Sequence, residues 1–121
     1  MRKIKIDFKD KKKYSSLTVK KVPWWYEGIG LMFSRKRSAE AMLFSFRKPK
    51  RMAIFSLFIP FDFLAVWLDE KNEIIEKRVV SPGEFNVLPS RKFVKLIEIP
   101  INGKYDEVLE LLGSPTRIRK V

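Results

Sequence analysis

The sequence predicts a mainly β domain of the α+β class, a compact antiparallel sandwich or barrel with one short helix near its C-terminal end. Three observations predict it. Apolar residues alternate with polar ones in Ile4-x-Ile6-x-Phe8 and again in Met42-x-Phe44-x-Phe46, the period-2 pattern of strands with one buried face. Residues 52–68 form a run in which only Ser56, Pro60 and Asp62 are not apolar. Its aromatic and β-branched side chains, with a proline in the middle, favour two buried strands over one helix. Tyr105, Val108, Leu109 and Leu112 fall at i, i+3, i+4 and i+7, the single apolar face of a helix.

Taken in order, residues 3–8 make a first strand, residues 9–13 a charged turn and residues 14–22 a second strand, so the chain opens with a hairpin whose edges are guarded by lysines. Pro23 ends it and introduces Trp24-Trp25-Tyr26. In an extended backbone neighbouring side chains point to opposite faces, so both tryptophans cannot enter one core. Gly28-Ile29-Gly30 is a turn or a close backbone approach; with Phe33 where a third glycine would fall, it is no dinucleotide fingerprint. Residues 34–38 are a basic loop, residues 39–46 a strand, and residues 47–51 a second basic loop in which Pro49 forbids a continuous helix. The two loops then lie at opposite ends of one strand, roughly 25 Å apart.

The apolar run divides at Pro60. Its second half, residues 61–68, meets the polar turn Asp69-Glu70-Lys71-Asn72, and residues 73–80 return as the partner strand of a hairpin. Ser81-Pro82-Gly83 is a turn, residues 84–92 a loop, and residues 93–99 a strand stopped by Pro100. A helix starts after Asn102-Gly103, with Asp106 and Glu107 at its positive end and Gly113 at its stop. Residues 115–121 are expected to add a short edge strand.

At 121 residues the chain fits a single domain, 1–121, with one core. It has no cysteine and no histidine. Disulfides, thiolate nucleophiles, the usual zinc ligands and the commonest general base are therefore excluded, and nothing calls for a cofactor or a metal. Glutamine is absent and asparagine occurs three times, a depletion of labile side chains that leans toward a thermostable protein. The N-terminus carries no apolar signal segment, and Pro60 and Asp62 argue against residues 52–68 as a membrane span, so the expectation is a cytoplasmic monomer or small homo-oligomer. Of the net charge of +12, all lies in residues 1–51, which hold 16 Lys and Arg against 4 Asp and Glu; residues 52–121 hold 10 of each. Such a field attracts nucleic acid or an acidic protein. Its bland reading is a solvated surface.

Three pieces in sequence, Gly30-Leu31-Met32-Phe33, Ala41-Met42-Leu43-Phe44 and Ile59-Pro60-Phe61-Asp62, followed by Ser81-Pro82 and Leu96-Ile97-Glu98-Ile99-Pro100, resemble the family catalogued as domain of unknown function 192. The resemblance covers about residues 17–120. It implies a compact, mainly antiparallel β domain and no established activity. Many members carry a polar stretch just before the Ile-Pro, where this chain has Phe55-Ser56-Leu57, and a glycine where it has Ala41.

The chemistry-bearing residues point away from an enzyme. Asp62 is a carboxylate amid Phe61, Phe63 and Leu64; it either fixes the bend after Pro60 by accepting hydrogen bonds or pairing with an arginine, or contacts a ligand. Asp69 and Glu70 are about 20 Å away along the strand, too far for a glycosidase pair. Ser45-x-x-Lys48 imitates a nucleophile motif at a strand end, where that chemistry requires a helix start. The expectation is a non-catalytic binding or accessory module. One specific form is weak, sequence-tolerant nucleic-acid contact through Arg35, Lys36, Arg37, Arg47, Lys48, Lys50 and Arg51, with Trp24, Trp25 and Tyr26 as stacking platforms. Those aromatics serve equally as a core edge or a subunit contact. The other is a small-ligand or carbohydrate cleft beside Asp62, with Ser56 as its remaining polar neighbour.

Overall fold

The computed structural model describes residues 2–23, 37–54, 56 and 59–116. The chain is mainly β, with strands β1 (Lys3–Asp10), β2 (Lys13–Val22), β3 (Met42–Lys50), β4 (Phe63–Leu68), β5 (Ile74–Val80) and β6 (Phe93–Pro100), and one short helix, α1 (Asp106–Leu111). The strands form one sheet in the order β1-β2-β3-β6-β4-β5. All pairings are antiparallel except β2 with β3, which run parallel through Lys20↔Met42 to Val22↔Phe44. The sheet curls until its two edge strands meet at a parallel bridge between Lys9 and Glu73. The result is a half-barrel.

Alternation sets the packing. On β1 and β2, Ile4↔Val19 and Ile6↔Leu17 face inward while Lys3↔Lys20 and Asp7↔Ser16 face out. The central strands are covered on both sides. Leu43, Leu64, Val66, Leu68, Ile97 and Ile99 join Ile6, Phe8, Leu17 and Val19 in an inner cluster with Val108, Leu109 and Leu112 of the helix. Met42, Phe44, Phe46, Phe63, Ala65, Trp67 and Leu96 face the other way, under Ile54, Ile59, Phe61 and Val87 from the irregular segments. Apolar burial on both faces makes β4 a continuous hydrophobic run, FLAVWL, without alternation, as expected for a central strand.

Four boundaries differ from the sequence expectation. Strand β3 continues to Lys50 through Pro49, so Arg47, Lys48 and Lys50 lie on a strand and not in a loop. Proline is tolerated because the ladder slips there: Ser45 pairs with Lys95 and Lys50 with Phe93, so β3 spends three more residues than β6 between the two pairs and bulges outward. Among the described residues from 52 to 62, only Ile54 joins a ladder, bridging Val87. The helix starts at Asp106, because the Asn102 side chain donates to the Ala39 carbonyl at 2.9 Å and its oxygen accepts from the Lys104 amide, making a turn of residues 102–105. Residues 115 and 116 are not in a strand, and residues 117–121 lie outside the described residues.

Candidate functional site

Three strands and a turn bring basic and polar side chains to one mouth of the half-barrel. Lys21 has the inward parity of Leu17 and Val19 on β2, Ser45 that of Leu43 on β3, and Lys95 that of Ile97 on β6. Apolar residues fill this face further in. At the rim the same parity is taken by polar groups, and Lys21 is exposed. Asn72 enters from the β4–β5 turn, which Asp69 shapes by accepting the Lys71 and Glu73 amides at 2.8 and 3.0 Å. Its side-chain amide donates to the Asp7 carbonyl at 3.0 Å, and its side-chain oxygen accepts from Lys95 Nζ.

These groups bound a recess of about 370 Å³, with Lys21 and Lys95 as its inward-facing cations; Ile4, Ile6 and Leu43 complete its lining together with Lys5 and Asp7, which have outward parity on β1. Among the described residues Asp7 is the one carboxylate of its lining, and Ser16 Oγ donates to that carboxylate at 2.5 Å. A second recess, of about 600 Å³, lies at the β3 bulge and is lined by Ser45, Phe46, Arg47, Lys48 and Lys50. Among the described residues its lining contains no acidic side chain. Ser45 borders both recesses. Lys50 Nζ sits 5.4 Å from the Phe46 ring centre, and Phe93 meets the same ring edge-on at 5.5 Å, so Phe46 forms a covered apolar floor.

The ion pairs seen among the described residues lie elsewhere: Lys3–Glu40, Lys77–Asp10 and Arg78–Glu84. Among the described residues, Lys21, Arg47 and Lys48 make no ion pair with a carboxylate. Among those residues there is no group of His, Cys, Asp or Glu able to hold a metal, and no helix long and apolar enough to cross a membrane.

The expected site residues are distributed as follows. Arg47, Lys48 and Lys50 come together at the bulge, while Arg51, next in the chain, donates its Nε to the Pro89 carbonyl at 2.8 Å and anchors a loop. Arg37 is exposed in the turn leading to β3. Trp24, Trp25, Tyr26, Arg35 and Lys36 lie outside the described residues. Ser56 is wholly buried, and its hydroxyl donates to the Ser81 carbonyl at 2.5 Å while accepting from the Glu84 amide at 2.9 Å. It is a clamp between two loops. Asp62 is half-buried, and what ties it to the end of β6 is its backbone carbonyl, which accepts from the Ile101 amide at 3.0 Å. Its carboxylate makes no hydrogen bond or ion pair among the described residues, so the expected bend-fixing role passes to the main chain.

Lys21, Ser45, Asn72 and Lys95 were not legible as one site, because only the curling of the sheet brings them together. The burial of Glu98, 2 % exposed on the face of its strand neighbours Met42 and Ala65, was also missed. Its even spacing from Leu96 was the available signal.

No protein-family model matches the chain, and no curated protein matches it. Among solved structures it is similar to a protein of Sinorhizobium meliloti 1021 proposed to be a transcription regulator. The TM-score is 0.71 at 15 % sequence identity, over 94 % of this chain and 88 % of the other. At that identity the likeness is one of fold.

Proposed function

We propose that this is a non-catalytic binding module that holds the phosphate backbone of nucleic acid on the basic surface formed by the β3 bulge and the adjoining mouth of the half-barrel. The observation that carries this reading is the recess at the bulge, where Arg47, Lys48 and Lys50 converge with no acidic side chain among the described residues of the lining. Cations gathered around a concavity with low-dielectric walls focus their field there, and release of counterions from bound phosphates drives association. The excess of positive charge in residues 1–51 extends that field. A structural neighbour proposed as a transcription regulator belongs to a class that works on nucleic acid, which is support by analogy of fold. Kinship with domain of unknown function 192 belongs to the same proposal and adds no activity to it. Asp62 lines neither recess, so a carbohydrate cleft beside it is not favoured.

Titration of labelled nucleic acid at several salt concentrations tests the reading. Affinity should fall linearly on a log–log plot against salt, and Arg47→Ala with Lys48→Ala should make the slope shallower by about two. Absence of binding at low salt would end it.

A further inference from the structure

We infer that the nucleic acid held here is single-stranded and runs from the bulge recess past Ser45 into the mouth recess. The inference rests on the nucleic-acid reading of the same surface and adds the form of the ligand and its path. Ser45 borders both recesses, which places them next to each other along β3. Lys21 and Lys95 stand on the strands either side of β3, in register with Leu43 and Ser45. At strand spacings near 4.8 Å and about 3.3 Å per residue, their Cα atoms lie roughly 12 Å apart across the path.

The shape discriminates between strand forms. A duplex is read by an element that protrudes into its groove, such as a helix or a two-stranded ribbon. Here the cations surround recesses of about 370 and 600 Å³, the size range of small-molecule sites. A recess of that size admits an unstacked base, whereas a duplex would lie across its mouth. Of the apolar lining, Ile4 is partly exposed at the mouth and suits a base face, while the lysines and arginine suit the phosphates. Phe46 is covered by Phe93 and Lys50, so no open ring is available for stacking at the bulge. Binding there is weak per nucleotide and tolerant of sequence, since it lacks both stacking and base-edge readout. A bulge with three extra residues on one strand is a common way to shape such a site.

Fluorescence anisotropy of the whole chain with a labelled single-stranded DNA of about 12 nucleotides, and with the same strand annealed to its complement, tests this at about 50 and 200 mM salt. The expected result is binding of the single strand at least about tenfold tighter than of the duplex. Arg47→Glu with Lys48→Glu, and separately Lys5→Glu with Lys21→Glu, should each weaken it about tenfold at the higher salt, whereas Lys11→Glu with Lys12→Glu at the β1–β2 turn should change it less than about threefold. Circular dichroism melts confirm that the variants are folded.

 Six positions are changed in all, Lys5, Lys11, Lys12, Lys21, Arg47 and Lys48, each of them exposed in the folded chain. Duplex bound as tightly as single strand at the higher salt would overturn the inference and leave the nucleic-acid reading standing. Loss of affinity in the turn variant equal to that in the other two would overturn the path. Failure of both probes to bind at the lower salt would overturn the inference together with the reading it rests on.

Discussion

Asn72 donates its side-chain amide to the carbonyl of Asp7 at 3.0 Å, and through that bond the β4–β5 turn holds the first strand of the sheet to the last. The same residue accepts the Lys9 amide on its backbone carbonyl at 2.8 Å and the Lys95 ammonium on its side chain. It does so at φ +60°, a left-handed conformation that asparagine tolerates better than other side chains with a Cβ. Closure of the half-barrel therefore depends on one polar residue with a particular backbone.

Asn72→Ala loses both side-chain bonds and keeps a Cβ in the left-handed region, whereas Asn72→Gly loses the bonds and relieves the backbone. The alanine variant should be destabilised by about 2 kcal/mol and the glycine variant by about 1 kcal/mol in urea unfolding. Equal losses would show that the conformation of this residue contributes nothing.

Ser56 joins two irregular segments that cover the outer core. Its hydroxyl bonds Ser81 and Glu84, its amide donates to the Glu84 carbonyl, and its carbonyl accepts from Ile59 and Gly83. Ser56→Ala would leave the Ser81 carbonyl and the Glu84 amide without these partners at a part-buried clamp, at a cost of about 1–2 kcal/mol. Ser90→Ala, at an exposed position, should stay within about 0.5 kcal/mol. Unchanged stability of the Ser56 variant would mean that water replaces the hydroxyl freely.

The two hairpins were readable from the chain because each combines local alternation or an apolar run with a polar turn. Lys11 and Lys12 turn β1 into β2, and residues 69–73 turn β4 into β5, as the clusters of charge there indicate. The end of β3 was not readable, since Pro49 looks like a stop and only the register slip against β6 makes it compatible with a strand. The site was half readable for the same reason. Arg47, Lys48 and Lys50 are neighbours in sequence, but Lys21, Asn72 and Lys95 come from three separate segments that meet only when β1 closes on β5. Local patterns carry no record of that closure.

Trp67 is fully buried on the outer face of β4, and among the described residues its indole Nε1 has no hydrogen-bond partner. A buried N–H left unpaired costs about 1–3 kcal/mol. Trp67→Phe gives up some packing and removes that cost, so the net loss should be below about 1 kcal/mol, against about 3–5 kcal/mol for Phe63→Ala on the same face. Calorimetric or denaturant unfolding of the two variants decides the point, and a loss from Trp67→Phe as large as that from Phe63→Ala would show that ring volume outweighs the orphaned donor.

Lys3 and Glu40 set a pH dependence whose sign follows from their contact. The Lys3 ammonium lies 3.2 Å from Glu40 Oε2, and its hydrogen bond, helped by the charges of Lys3, Lys20 and Lys104 and opposed by burial, holds the Glu40 carboxyl below its ordinary pKa of 4.5. A carboxyl with a depressed folded-state pKa adds stability that is complete above the unfolded value and is lost as pH falls through the folded one. The loss should therefore begin below pH 4.5, the unperturbed value. Because both side chains reach solvent, salt should shrink the effect. Urea midpoints measured between pH 6 and pH 3, at low and high salt, should fall less steeply for Glu40→Gln than for the unaltered chain in acid, and the two should differ least at high salt. Parallel pH profiles at low salt would show that the contact contributes nothing to folding.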